Sequence, residues 1–388
     1  MHGFLASVEH QTILWVKHVI YGQVAVVIAL LLFLILHKLR TEHRQRAKDA
    51  KKQEMSKTLC QEIFKGEPTV LTLRNSLDYR AFSECCTDMI LSFGGDYANK
   101  VRSLLVRFGA VDYYRRMSVS PFWLRRYYAV EQLGMFAVDG TREFLRQRLQ
   151  AERSYPVKTR IIWALSRIAD EDAFRDVTAS FASTMSLSGK FEETIFATMI
   201  RAMIQRGLKA TLIQRVEATI SCDDIPVSVR KHLIEALGST KFRESAPCVA
   251  ACALQHAQYI EMRLACIRAA GRILGPQGTG EMDPSLGAGL ASLISEGLAD
   301  EDWRIRAVAA TASCSCGSAV IPRLIPLLSD SAYTVRLNSA RALHELGPEG
   351  RLCLMEQMSS PDRFARETIT FVLQSTGSAA MPVQPTAP

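Results

Sequence analysis

The distribution of apolar positions divides the chain into two regimes. Residues 19–36, VIYGQVAVVIALLLFLIL, hold no charge in 18 positions, and residues 13–15 lengthen the run if Lys17 and His18 snorkel. Roughly 20 such residues cross a bilayer core, so the pattern predicts a transmembrane anchor over residues 13–37, after a short external N-terminus at residues 1–12. A cleaved signal peptide is the competing reading. Against it, residues 1–9 lack a basic n-region, and the run ends in His37, Lys38 and Arg40 without a small-residue cleavage site.

From about residue 118 the pattern changes to a helical period. A capping residue is followed six positions later by Arg, then by small and aliphatic residues at i, i+3 and i+4, often closing on Leu-Gly. SPFWLRRYYAVEQLG, DIPVSVRKHLIEALG, DEDWRIRAVAATASC and DSAYTVRLNSARALHELG are examples. The Arg positions are Arg126, Arg160, Arg230, Arg263, Arg306, Arg336 and Arg366, with Ile195 filling one slot, at intervals of 30 to 43 residues. That is the period of two-helix solenoid repeats, and the long interval contains a predicted loop insertion, GPQGTGEMDPSLG. Ser120, Ser154, Asp224, Asp300, Asp330 and Ser360 stand six positions before an Arg and read as N-caps. The prediction is an all-α fold: a HEAT-type α-solenoid over residues 118–374 behind a single N-terminal transmembrane helix. Residues 38–75 form a basic helical neck and linker, residues 76–117 an N-terminal helical cap, and residues 375–388 a disordered tail.

Val-Arg followed by small residues and Leu-Gly resembles the HEAT and HEAT-like (phycobilisome-lyase-type) repeat family, and VRLNSARALHELG carries the resemblance best. In that family an Asp and the Arg build a ladder between adjacent repeats. The resemblance assigns that structural role to Asp224 and Arg230, Asp300 and Arg306, and Asp330 and Arg336, leaving the Ser-capped units with a weaker ladder. A single span, a basic neck, a short helix ending VRFG and a Trp-Leu-Arg-Arg repeat together are similar to bacterial membrane-anchored HEAT-repeat proteins. These accompany membrane glycosyltransferases of exopolysaccharide synthesis, so the resemblance implies a protein partner of that class.

Composition agrees with an ordered chain: 388 residues, 48% apolar and 22% charged. The ten cysteines are scattered without a CxxC pair, which predicts reduced, mostly buried thiols. The formal charge of +8 is local. Residues 37–57 carry +5 and residues 100–128 carry +6, leaving −3 elsewhere. In the first stretch, Lys38, Arg40, Arg44, Arg46, Lys48, Lys51 and Lys52 follow the apolar run. They predict a single-pass protein of the inner (cytoplasmic) membrane with its N-terminus outside and its solenoid cytoplasmic, the basic residues lying at anionic headgroups. In the second stretch, Arg107, Tyr113, Tyr114, Arg115, Arg116, Trp123 and Arg125 combine the residue types enriched at interface hot spots, and form the candidate interface for an acidic protein segment or for headgroups.

No Walker A motif, GxSxG elbow or HExxH pair occurs, and Gly275, Gly278 and Gly280 follow no strand. Neither catalytic residues nor a cofactor is predicted. Cys248, Cys252 and His256 recur at i+4 and would line one helix face, but small residues at that spacing are what a packed helix pair requires, so no metal site is expected. The expected function is a membrane-tethered, non-enzymatic scaffold or adaptor that binds a protein partner, an integral-membrane glycosyltransferase or another envelope-assembly component. The alternative is a HEAT-like lyase subunit or a nucleic-acid-binding HEAT protein, nucleic acid being disfavoured by the anchor.

Overall fold

The computed structural model describes residues 2–183, 188–275 and 284–376. Most of the inserted loop expected at residues 275–287, and the tail from residue 377, lie outside the described residues. Every regular element among the described residues is helical. The chain forms two compact units, residues 1–136 and 137–388, so the first repeat helix groups with the N-terminal segment.

The first unit begins with α1 (His2–Lys65) and continues through α2 (Ser76–Ser92), α3 (Gly95–Arg107), α4 (Ala110–Met117) and α5 (Trp123–Phe136). Helix α1 spans the apolar run and the basic neck without interruption. Between residues 38 and 65 it contains neither Pro nor Gly, the residues that break or loosen a helix interior. Its apolar part is long and hydrophobic enough to cross a membrane by length and composition, with a mean hydropathy of 2.2 over the most apolar stretch and none of that stretch buried. Further along the same helix the pattern becomes amphipathic: Met55, Leu59 and Ile63, at i+4 spacing, are buried. They lie where α1 packs on α2 and α3. Salt bridges flank this seam. Lys48 reaches Glu84 at 2.8 Å, Lys52 reaches Asp88 at 2.5 Å, and Lys51 pairs with Asp78. Helix α2 starts in a capping box, Asn75 Oδ1 accepting from the Leu77 and Asp78 N–H groups while the Asp78 carboxylate accepts from the Asn75 N–H.

The second unit contains α6 (Arg142–Ala151), α7 (Tyr155–Ile168), α8 (Glu171–Ser183), α9 (Gly189–Gln205), α10 (Lys209–Ile220), α11 (Val227–Thr240), α12 (Ala246–Gln255) and α13 (Ile260–Leu274). It continues with α14 (Pro284–Gly297), α15 (Trp303–Ala312), α16 (Ile321–Leu324), α17 (Tyr333–Glu345), α18 (Pro348–Glu356) and α19 (Arg363–Ser375). Two layers result. Helices α7, α9, α11, α13, α15, α17 and α19 pack each on the next, while α8, α10, α12 and α14 stack in a second layer. Glycine at Gly238 in α11 and Gly271 in α13 has a steric cause. A Cβ on Gly238 would lie 2.6 Å from Ala269 Cα, and one on Gly271 would lie 2.9 Å from Ala312 Cβ, so α11, α13 and α15 approach closely enough to require glycine.

The ladder runs between neighbouring repeats, with a different pairing from the one the resemblance implied. Arg306 donates to Asp330 Oδ2 at 2.7 Å and Oδ1 at 3.1 Å, and Arg263 pairs with Asp300. Each carboxylate is therefore held by the arginine of the preceding repeat. Within a repeat the arginine bonds main-chain carbonyls: Arg306 to Asp300 O at 2.7 Å, Arg336 to Asp330 O at 2.7 Å, Arg126 to Ser120 O at 2.9 Å and Arg366 to Ser360 O at 2.6 Å. Arg230 departs from the expectation, meeting Asp223 at 3.7 Å and Ile220 O at 3.2 Å rather than Asp224. Arg336 finds Ser360 where the next acid would stand. Its guanidinium lies over the rings of Tyr333 and Phe364, and its Nε is buried without a hydrogen-bond partner.

The predicted N-caps are displaced by two residues in the last repeats. Helices α15, α17 and α19 are capped by Asp302, Ala332 and Asp362. Asp300 and Asp330 instead close a turn just before the cap, each accepting from the N–H two residues on at 2.9 and 2.8 Å. Ser154 does occupy the N-cap position of α7.

Candidate functional site: an arginine-lined cleft

The aromatic and basic stretch expected to act as one interface is divided by the fold into three environments. Arg107, in the last turn of α3, is committed to α1, with Nη1 2.6 Å from Glu62 Oε1 and Nη2 2.7 Å from Oε2. The Arg107 guanidinium holds the Glu62 carboxyl below its ordinary value despite partial burial. Tyr114, on α4, is fully buried, boxed by the rings of Tyr113, Tyr128 and Phe136 at 5.1, 6.0 and 5.6 Å, and burial pushes its hydroxyl far up. Arg115 is half-buried and lies 3.6 Å from Asp112.

Tyr113, Arg116 and Arg125 share the second environment, a cleft of about 740 Å³ whose wall also includes Arg74, Ser76, Tyr79, Arg80, Met117 and Ser120. Three local features shape it. The capping box at Asn75 fixes the start of α2 and hence Arg74. One turn into α2, Tyr79 stacks flat on Tyr113 of α4, with centroids 4.1 Å apart and planes 2° from parallel, which ties the two helices beside the opening. Arg80 then extends over the Tyr128 ring at 5.4 Å, and Arg125 over Phe122 at 5.2 Å. No carboxylate lines the cleft. The nearby acids are engaged elsewhere: Asp78 accepts from Lys51 and from the Arg74 and Asn75 N–H groups, and Asp112 faces Arg115. Arg74, Tyr79 and Arg80 were missed in the sequence because they precede the basic stretch. The available signal was Asn75 and Asp78 at cap spacing, which places Arg74 and Arg80 six residues apart around one helix start.

Trp123 is in the third environment, exposed at the start of α5. It is 47% exposed and lies three residues before Arg126. In the second unit Trp303 and Tyr333 have the same register to Arg306 and Arg336 and are 47% and 55% exposed. Tyr259 and Phe364, at neighbouring registers, are also exposed.

The other expected sites fall as follows. Among the basic residues after the span, Lys38 and Arg46 lie 3.9 Å from Glu42, while Lys48, Lys51 and Lys52 make the salt bridges to α2. All ten cysteines are free. Cys248 Sγ lies 3.4 Å from Glu217, and its thiol is pushed up to about 12 by burial and by that carboxylate. His256 Nε2 lies 3.1 Å from the Ile220 carbonyl, so the i+4 row does not converge on a shared centre. Among the described residues no group of three or more His, Cys, Asp or Glu is arranged to hold a metal ion.

Comparison with known proteins places the repeats. Residues 290–374 match the HEAT repeat family. No curated protein sequence matched the chain. Among solved structures, human deoxyhypusine hydroxylase in complex with glycerol is 15% identical and covers 86% of this chain and 98% of its own, with a TM-score of 0.24. The complex of CpcE and CpcF of phycocyanin lyase from Nostoc sp. is 18% identical, with coverage of 68% and 94% and a TM-score of 0.29. A mutant form of Kap121p is 12% identical, with coverage of 78% and 40% and a TM-score of 0.37. The expectation that the chain is not an enzyme is corrected by this set, since a hydroxylase and a lyase stand among the similar structures. Among the described residues the chain is all-α, and over the matched stretch it is a HEAT-like repeat protein.

Proposed function

We propose that the protein is a membrane-tethered scaffold whose repeats dock a protein partner through the aromatic rim at the helix starts. The observation that carries this reading is the recurrence of large, exposed rings at one register of successive repeats, Trp303 and Tyr333 with Tyr259 and Phe364 beside them. Tyr333 and Phe364 also cover the Arg336 guanidinium within the array, but each ring keeps an exposed face, as does Trp303, and interfaces are enriched in Trp and Tyr. In the first unit Trp123 stands at the same register to Arg126.

The apolar run of α1 is the tether in this reading, with the N-terminus outside and the repeats on the cytoplasmic side. Lys38, Arg40, Arg44 and Arg46 fall within about 15 Å of Leu36 along the helix, close enough for headgroup contact. Lys48, Lys51 and Lys52 stand farther off and act within the first unit. Tethering raises the effective concentration of a membrane partner, so modest contacts suffice. The resemblance to glycosyltransferase-associated proteins makes an integral-membrane glycosyltransferase or another envelope-assembly component the first partner to test.

Removal of residues 1–46 leaves the seam of α1 with α2 in place and tests the tether. The truncated chain is expected to move from the membrane to the soluble fraction, and retention in membranes after a salt wash refutes the tether. The double variant Trp303→Ala, Tyr333→Ala tests the rim by co-purification from gentle detergent. Partner recovery equal to that of the unaltered chain, at unchanged thermal stability, removes the rim as the docking face.

A further inference from the structure

We infer that the cleft of the first unit is a binding site for a soluble ligand carrying two phosphoryl groups. Four arginines, Arg74, Arg80, Arg116 and Arg125, all exposed, are among the residues that line one opening of about 740 Å³, within the range of small-molecule sites. None of the four forms an ion pair with a carboxylate among the described residues; of the acids nearby, Asp78 pairs with Lys51 and Glu84 with Lys48, and Asp112 lies 3.6 Å from Arg115. Four like charges around one opening repel each other, less strongly where solvent and salt screen them, and a bound anion relieves that repulsion. Arginine forks match the oxygens of phosphate bidentately, and one phosphoryl group carries a charge between about −1.5 and −2, so two come near to balancing four arginines. Leu73, Met117 and the wall of Tyr79 and Tyr113 give apolar surface to the organic part of the ligand.

The position along α1 favours a soluble source over a lipid headgroup, a choice that rests on the tether proposed above. Lys51, which pairs with Asp78 beside the cleft, is 15 residues beyond Leu36, or about 22 Å along a helix. The interfacial layer on each side of the hydrocarbon core is only about 5–8 Å thick. The site itself does not depend on the aromatic rim, so the rim variants and the cleft variants fail independently.

Calorimetric titration of the full chain in detergent with inorganic pyrophosphate tests the inference. Saturable binding is expected with Kd below about 1 mM. Arg80→Gln and Arg125→Gln are each expected to weaken it about tenfold, consistent with loss of a charge-assisted hydrogen bond. Arg80→Lys and Arg125→Lys, which keep the charge and lose the fork, are expected to recover only part of the affinity. Absence of saturable binding below 1 mM, affinity unchanged in both Gln variants, or citrate binding as tightly as pyrophosphate would overturn the phosphoryl assignment. Displacement of pyrophosphate by phosphatidylglycerol vesicles would overturn the soluble source.

Discussion

Replacing Gly238 by Ala tests the account of how the repeats stack. Taken alone, the substitution favours the helix, because Ala exceeds Gly by about 1 kcal/mol in a helix interior. Against this, the new Cβ lies 2.6 Å from Ala269 Cα and 3.0 Å from Ala269 Cβ, while carbon atoms pack best at about 3.5–4.0 Å. The closest atom is backbone and cannot rotate away, so α11 and α13 must separate by about 1 Å, enough to forfeit a quarter to a half of the dispersion energy along the seam. Overpacking of this kind costs about 1–3 kcal/mol, and its rigid obstacle puts Gly238 toward the upper end. The expected net effect is destabilisation by about 1–2 kcal/mol. Gly289 supplies the contrast, since a Cβ there meets only Ala250 Cβ at 3.9 Å. Gly289→Ala is expected to stabilise by about 1 kcal/mol from propensity alone. Repeat arrays open segment by segment, so hydrogen exchange resolved to peptides of α11, α13 and α14 is the appropriate assay, with thermal melting of the full chain beside it. A Gly238→Ala chain with slower exchange in α11 and α13 than the unaltered chain refutes the close-approach argument.

Asp330→Asn should destabilise the last repeats by about 2 kcal/mol, because it removes a carboxylate that accepts two bonds from Arg306; denaturant titration of the full chain reads the loss. Burial alone would raise the Asp330 carboxyl, yet Arg306 and the Ala332 N–H hold it below the ordinary value. Its contribution is therefore complete above the ordinary carboxylate range and is lost as pH falls through the lowered folded value, so the unaltered chain should lose more stability on acidification than Asp330→Asn. Ser360→Asp supplies the carboxylate that Arg336 lacks and should raise stability by about 1 kcal/mol in the same titration; a neutral or negative effect shows that Arg336 needs no further partner. Gly350→Ala places a Cβ 2.0 Å from the Leu343 carbonyl oxygen and should cost about 3 kcal/mol, read as a lowered melting temperature.

Much of the fold was legible because it is written at the scale of single helices. Apolar residues at i, i+3 and i+4 recur in α7, α9, α11, α13, α15, α17 and α19, and periodicity suffices to predict them. Partner choice was less legible. Asp330 is six residues before Arg336 in sequence, yet its carboxylate belongs to Arg306, 24 residues upstream, and only its main-chain carbonyl accepts from Arg336. Cap positions failed for a related reason. Asp300 and Asp302 are both able to cap, and the two-residue turn that selects Asp302 depends on how the chain enters α15. The unbroken α1 was half legible: the apolar run and the basic neck were separate signals, and the i+4 spacing of Met55, Leu59 and Ile63 shows that the neck also has a core face.

The basic stretches show why a count of charges does not locate a site. Arg107 and Arg116 are equivalent by composition, and only the fold brings Glu62 to the first and leaves the second at a cleft without carboxylates. The lysines divide in the same way. Lys38 stands two residues beyond the apolar run, while Lys48, Lys51 and Lys52 are drawn to Glu84, Asp78 and Asp88 on α2. Acids that look dispersed in sequence thus act as a filter, neutralising the cations that hold α1 to the first unit. The four arginines that pass the filter come from three separate places, the approach to α2, its first turns and the ends of the α4 to α5 connection. Their convergence on one opening is the feature that sequence spacing does not encode. It is also the reason that neutralising Arg80 or Arg125 should change ligand affinity while leaving the first unit folded, whereas Glu62→Gln, which frees Arg107, should loosen α1 from α3 and leave the cleft charge unaltered.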